Sequence, residues 1–174
     1  MEIRRIRAHE GDRFRDVRLR ALQDAPGAFS STFEEQRHRP TADWDEQARL
    51  RSEGWQQTTF VADPGPATGP LVGLVGGFPG ADRPRVVELT SMWVDPAVRG
   101  AGIGTRLVAA VVDWARGGGA DEVELWVVDQ NDPALALYRR CGFQTTGDLQ
   151  PYPNDPGRHE LRLALGLRAV YPRP

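Results

Sequence analysis

Gly100, Gly102 and Gly104 alternate through the stretch Arg99-Gly100-Ala101-Gly102-Ile103-Gly104-Thr105, and that spacing suits an anion. Glycine permits positive φ and leaves no side chain between backbone and ligand. Behind the turn, Ile103, Leu107, Val111, Trp114 and Ala115 recur at helical spacing. The free N–H groups of that helix's first turn, with its macrodipole, would suit a pyrophosphate. Arg99 and Arg106 add positive charge. A P-loop is excluded, because Gly104-Thr105-Arg106 stands where Gly-Lys-Ser/Thr is required. The dinucleotide fingerprint G-x-G-x-x-G fails at Thr105, but Glu122 and Glu124 stand where a ribose-binding acid could sit, so that reading stays open. So does a tight strand-to-helix turn that binds nothing.

A second group of residues lies thirty positions on. Residues 122–128 form an apolar strand pattern, Asp129-Gln130-Asn131 follows, and Asp132-Pro133 reads as N-cap and first helical residue. Ala134, Leu137 and Tyr138 then share one helical face, and Gly142 ends the helix. Taken together, Arg-x-x-Gly-x-Gly after a strand and Asn-x-x-Ala-x-x-x-Tyr-x-x-x-Gly-Phe resemble the GNAT superfamily of acyl-CoA-dependent N-acetyltransferases. The match is close over about a third of the chain, and the two half-motifs in this order and spacing are far more specific than either alone.

The resemblance implies acetyl-CoA as co-substrate, bound through Met92, Trp93 and Val94, through the turn Arg99, Gly100, Ala101, Gly102, Ile103, Gly104 and Thr105, and at Asn131. It implies transfer of an acetyl group to a primary amine by direct attack in a ternary complex, with Tyr138 near the leaving sulfur. It also implies a base on the strand before the glycine turn. Glu88 stands eleven residues before Arg99, between Val87 and Leu89, and alternation puts it on the face opposite those two. Glu124 is the reserve base; two positions later, where other family members carry one, this chain has Trp126. The acceptor side maps onto residues 28–35, with Phe29, Ser31, Phe33 and Glu34 as candidate contacts. The alternative is that both phenylalanines are core while Ser31 and Thr32 cap a helix. The acceptor itself, a small-molecule amine or a protein N-terminus, is not readable. A catalytically idle acyl-CoA-binding module is the competing function.

These residues need a scaffold to hold them. A strand over residues 3–8 leads to a helix over 11–23 with Phe14, Val17, Ala21 and Leu22 inward and Leu19 at the edge. Ala25-Pro26-Gly27 breaks it, and a further helix over 41–50 turns Trp44 and Ala48 inward. Strands are expected over 58–62, 71–78 and 86–94, separated by Pro- and Gly-rich turns at 63–70 and 79–84; hairpin connections make them antiparallel. The crossover through the 103–115 helix makes the 86–94 and 122–128 strands a parallel pair. A strand near 143–149, a proline-rich loop at 151–156 and a strand over 159–165 complete the chain, with 167–174 as a loose tail or a partner contact. The expectation is one α/β domain over residues 1–174, of GNAT-like build: a mixed, largely antiparallel sheet of six or seven strands, flanked by helices.

Composition agrees with that class. The chain has 174 residues, 40% of them hydrophobic and 26% charged, which is ordinary for a globular domain. A net charge of −2 points neither to nucleic acid nor to an anionic membrane. No run reaches transmembrane length, and residues 1–7 lack the apolar core of a signal peptide. One cysteine, Cys141, allows no internal disulfide and fits a reducing cytoplasm. His9, His38 and His159 show no metal-ligand spacing, so no metal is expected. A homodimer is left open.

Overall fold

The computed structural model describes residues 1–65 and 69–167. Seven strands form one sheet: β1 (Glu2–Arg5), β2 (Thr58–Asp63), β3 (Gly73–Pro79), β4 (Val86–Val94), β5 (Glu122–Val128), β6 (Gln144–Tyr152) and β7 (Asp155–Gly166). Their order is β1-β2-β3-β4-β5-β7-β6, and β4/β5 is the one parallel pair. Five helices flank it: α1 (Gly11–Asp24), α2 (Phe33–Arg37), α3 (Thr41–Ser52), α4 (Ile103–Gly117) and α5 (Asp132–Arg140).

Helix α4 connects β4 to β5 and lies on one sheet face. Its stripe of Ile103, Leu107, Val108, Val111, Val112 and Ala115 is buried. Opposite it sit Val87, Leu89, Val123, Leu125 and Val127, the alternate residues of β4 and β5. Gly77 on β3 lets α4 approach, since a Cβ there would stand 3.1 Å from Val111 Cγ1. The other face carries α1 and α3, where Phe14, Val17, Leu22 and Trp44 close on Val61, Leu74 and Trp93. Fully burying an aliphatic side chain contributes about 1.5–3 kcal/mol, so these two layers hold the sheet between them. A buried ion-pair cluster ties the start of the chain to this frame: Arg4 reaches Glu10 at 2.6 Å and Asp63 at 2.5 Å, and Arg13 reaches Glu10 at 2.7 Å and Asp63 at 3.0 Å.

Three local expectations are corrected. The first strand ends at Arg5 rather than at residue 8; Glu10, the residue before α1, draws the chain into a turn by accepting from the Arg7 N–H at 3.0 Å. The cap of α5 is Asn131, not Asp132: the Asn131 side-chain oxygen accepts from the Ala134 N–H at 3.3 Å, and Pro133 sits inside the first turn. The proline-rich loop at 151–156 is mostly strand, with Tyr152 paired to Asp155 across a two-residue turn. Pro151 is tolerated because β6 is the edge of the sheet, where a missing donor costs least. Tyr152 Oη and Asn154 Nδ2 both donate to the Phe29 carbonyl, at 2.7 and 2.9 Å, and pin the hairpin tip to the segment after α1. The expected turn at 63–70 and tail at 167–174 fall partly outside the described residues.

Candidate active site

The site starts from a break in β4. Its parallel ladder with β5 covers only Val86–Glu88 against Glu122–Glu124. Its antiparallel ladder with β3 continues to Val94 but slips between Leu74 and Gly76. At that slip Ser91 takes φ 56°, the one non-glycine residue with positive φ among the described residues. A bulge turns the strand and re-aims its side chains. Past Glu88, β4 therefore has a strand partner on one side only, and a free backbone edge of this kind pairs readily with an extended ligand.

On the α4 side of the break lies an open cleft of about 690 Å³. Met92, Trp93 and Val94 form one wall, and the glycine turn forms another through Arg99, Gly100, Gly102, Ile103, Gly104 and Thr105. Asn131 closes the far end, beside Ala134 and Leu137 of α5. Ala101 belongs to the same turn without lining the cleft. Gly100 and Gly102 hold φ of 83° and 75°, and a Cβ on either would meet nothing within 4 Å. No side chain caps α4, and the first backbone N–H there to find a helical acceptor is that of Arg106, on Gly102 O. The N–H groups of Ile103, Gly104 and Thr105 thus lack a helical acceptor at the positive end of a fifteen-residue helix.

Charge and order at the cleft come from α1. Asp24 accepts from Trp93 Nε1 at 2.8 Å and is ion-paired with Arg99, whose Nε also donates to the Val94 carbonyl at 2.9 Å. Burial works against the charge of Asp24, but Trp93 and Arg99 outweigh it and hold its carboxyl below the usual range. One carboxylate thus fixes a residue of the broken strand and a residue of the glycine turn. Asp24 and the cleft-lining Arg140 were not marked by the sequence motifs, since Asp24 lies outside them and Arg140 stands at one of their unspecified positions.

On the other face of β4 is a second cavity, of about 210 Å³, roofed by α1 and α3. Ser91 lines it, while its neighbour Met92 lines the cleft, so the two spaces flank the kinked strand from opposite faces. Of the four expected acceptor contacts, Ser31 lines this cavity and accepts from Arg18 Nη2 at 2.8 Å. Phe29 is core, with the Arg18 guanidinium 4.7 Å over its ring. Phe33 packs half-buried against the same cluster, and Glu34 points outward to Arg37 at 3.0 Å. Thr32 and Glu35 form a reciprocal cap at the start of α2.

Neither candidate catalytic residue lines either space. Tyr138 is 6% exposed, inside the α4–α5 core with its ring edge-on to Phe143 at 5.8 Å. Burial, and then the Cys141 thiol, push its phenol above the ordinary value, so it is protonated at neutral pH. Glu88 is half-buried and in register with Glu124 across the parallel pair. Glu124 is taken by Arg83 and by Arg162, whose Nε donates at 2.7 Å; the Glu88 side chain makes no hydrogen bond or ion pair among the described residues. Burial first, then the charges of Glu124 and Glu160, raise the pKa of Glu88, and Arg83 opposes them. The described residues contain no cluster of three metal-ligating groups, and no helix long and apolar enough to cross a membrane.

This arrangement has counterparts. A sequence model of the Acetyltransferase (GNAT) family matches residues 21–143. The N-alpha-acetyltransferase RimI of Mycobacterium tuberculosis is 48% identical over 80 residues, 45% of this chain and 49% of that protein. A mycothiol acetyltransferase of Clavibacter michiganensis is 46% identical over 57 residues, 33% of this chain and 19% of that protein. The chain thus spans about half or less of the length of these curated relatives. Among solved structures, yncA of Salmonella typhimurium with its cofactor acetyl-CoA superposes at TM-score 0.75 and 20% identity, over 100% of this chain and 98% of that one, a likeness of fold. With the family model covering more than half of the chain, from α1 through the glycine turn to Phe143, the protein belongs to the GNAT acetyltransferase family.

Proposed function

We propose that the chain transfers an acetyl group from acetyl-CoA to a primary amine. The observation that carries this reading is the break of β4 at Ser91, which sets a free strand edge and an uncapped glycine turn in one cleft and a second cavity at its back. The cleft suits acetyl-CoA: the N–H groups of Ile103, Gly104 and Thr105 and the charge of Arg140 suit its phosphates, and the apolar Met92, Val94 and Leu137 suit its extended arm. Acetyl-CoA supplies an activated acyl carbon. The name of one relative, N-alpha-acetyltransferase RimI, supports an amine as acceptor.

In the proposed reaction the amine nitrogen bonds to the thioester carbon, the carbon–sulfur bond breaks, and the nitrogen's surplus proton leaves. A lysine-type amine titrates near ~10.4, so a base or water relay assists at neutral pH. Glu88 fills that role on this reading, because its raised pKa and lack of a partner leave its oxygens free to take a proton through water. Tyr138, kept protonated by burial, returns a proton to the sulfur. The bare edge of β4 past Glu88 offers a backbone N–H to the carbonyl oxygen as charge develops.

The idle-module alternative draws on one observation: Tyr138 stands behind Leu137 rather than on the cleft wall. Thiol release from acetyl-CoA with an amine panel, followed by mass spectrometry of the product, separates the two. A product heavier by one acetyl group supports the transferase; acetyl-CoA binding without thiol release from any amine supports the module.

A further inference from the structure

The cavity under α1 and α3 holds a charge that the acetyl-transfer chemistry does not use. Its wall carries Arg18, Arg39 and Arg51 and no aspartate or glutamate. Among the described residues none of these three has a carboxylate partner. Arg51 Nε and Nη2 both donate to Gln47 Oε1, at 3.1 and 2.9 Å. Arg18 donates through Nη2 to Ser31, and its Nη1 is buried with no acceptor at all. The guanidinium planes are steadied by rings instead: Arg39 lies 5.3 Å over Trp44, and Arg51 5.9 Å over Phe14.

Elsewhere this chain treats a buried arginine differently. Arg4 is neutralised by Glu10 and Asp63. Three like charges around about 210 Å³ repel one another, and a buried donor without an acceptor costs free energy. Burial, then Arg51 and Arg39, push the Arg18 guanidinium down to about 10. Such an arrangement is unfavourable empty and favourable once an anion enters, since guanidinium forks match carboxylate and phosphate oxygens. The same sign repels polycationic acceptors. The cavity reaches β4 at Ser91, one residue from Met92 on the cleft wall, so the arginines stand across the broken strand from the cleft.

We propose that the acceptor is a small amine bearing an anionic group, held by Arg18, Arg39 and Arg51 while its nitrogen lies toward Ser91. This rests on the acetyl-transfer reading for its reaction, but the anion site stands on its own geometry. A molecule of amino-acid size fits the volume.

The test has two arms on the full chain. Thermal unfolding is measured in phosphate and in chloride at matched ionic strength, with CoA present to fill the glycine turn. Phosphate should raise Tm. Arg39→Gln and Arg51→Gln should each raise Tm without phosphate, by relieving repulsion, and abolish the phosphate increment. In the second arm, thiol release, corrected for the neutral fraction of each amine, is compared in pairs: methionine against methioninamide, and O-phosphoethanolamine against ethanolamine. The anionic member should be favoured by about tenfold or more in kcat/KM, and Arg39→Gln should erase the preference mainly through KM. The pair with the larger ratio tells carboxylate from phosphate. Equal rates within both pairs, or a phosphate increment that survives both substitutions, overturns the proposal. Calorimetry with acetyl-CoA keeps the two readings apart: loss of that binding sinks acetyl transfer, whereas intact binding with no anion effect sinks only the anionic acceptor.

Discussion

Trp93 Nε1 donates to Asp24 Oδ2 at 2.8 Å, a bond between the last turn of α1 and the broken strand β4. Asp24 also holds Arg99, so this one carboxylate sets the distance between strand edge and glycine turn. Asp24→Ala should loosen both. The expected result is a KM for acetyl-CoA raised roughly tenfold, the scale of one charge-assisted hydrogen bond lost, with a modest fall in Tm because the Nε1–H of buried Trp93 loses its acceptor. An unaltered KM would show that the turn is rigid without it.

Gly102 offers a sharper probe of the proposed cofactor cleft. Its φ of 75° is one that aspartate tolerates better than most residues, and a Cβ there meets nothing within 4 Å. Gly102→Asp should therefore fold, at a cost of about 1–2 kcal/mol, while placing a negative charge at the N-terminus of α4 where a phosphate would bind. Acetyl-CoA affinity by calorimetry should drop at least about a hundredfold, from lost space and reversed charge together. Unchanged affinity in a folded variant would move the pyrophosphate elsewhere.

The antiparallel hairpins, the parallel pair and α4 were legible because each rests on local rules: turn-rich connections, apolar periodicity, Gly-Gly-Gly after Arg116, and the β-α-β crossover. The residues that line the cleft were legible for the same reason, since its glycines and Asn131 lie in two short motifs. The arginine cavity was not. Its residues come from α1, α2, α3, the connections on either side of α2 and three strands, and only tertiary packing brings them together. One signal was present. Arg18 lies four residues from both Phe14 and Leu22, on the buried stripe of α1, and Arg51 continues the Trp44–Ala48 face of α3. A charge on an apolar stripe marks either a paired core arginine or a site. The positive φ of Ser91 carried no sequence signal, because serine rarely adopts it and only the slip in register imposes it.

Tyr138→Phe separates the two functional readings at a single atom. Ring packing against Phe143 is kept and only the hydroxyl is lost. If that hydroxyl returns the proton to sulfur, kcat should fall on the order of 10²-fold with acetyl-CoA affinity intact. Full activity would leave Tyr138 as a packing residue.

The Arg4–Glu10–Asp63–Arg13 cluster gives a stability prediction independent of function. Burial disfavours the Glu10 charge, but Arg4, the Arg7 N–H and Arg13 outweigh it and hold its carboxyl at about 2. Arg13 foremost lowers Asp63 as well. A depressed carboxylate pKa stabilises the fold above the unfolded value of about 4.5 and loses that contribution as pH falls toward about 2. Glu10→Gln should cost about 3 kcal/mol at pH 7, since it leaves Arg4 short of a buried partner. The gap between wild type and variant in urea unfolding should shrink from pH 5 to pH 3. A constant gap over that range would assign the cost to packing rather than charge.

Glu88 carries the last prediction, and its surroundings set the sign. Glu124 stands in register beside it, while Arg83 is shared with Glu124 and lies close enough to oppose the rise in the Glu88 pKa. If Glu88 accepts the amine proton, directly or through water, the acidic limb of kcat/KM reports its ionisation and lies above the ordinary glutamate value. Glu88→Gln should remove that limb and lower the rate by about 10²–10⁴-fold, the range for a positioned base. Arg83→Gln leaves Glu88 in place and acts only on its field. It takes away the one charge that lowers the Glu88 pKa and frees the neighbouring Glu124 charge from a partner, so the limb should move to higher pH. Arg83 is half-exposed, and its loss should cost little stability. Glu124→Gln removes a repelling charge and should move the limb the other way. The amine's own titration is the confounder, so each profile needs two acceptors of different pKa. A limb that follows the acceptor and ignores all three substitutions would mean that the amine arrives neutral. Catalysis would then rest on positioning and on the free edge of β4, with Glu88 an uninvolved strand carboxylate.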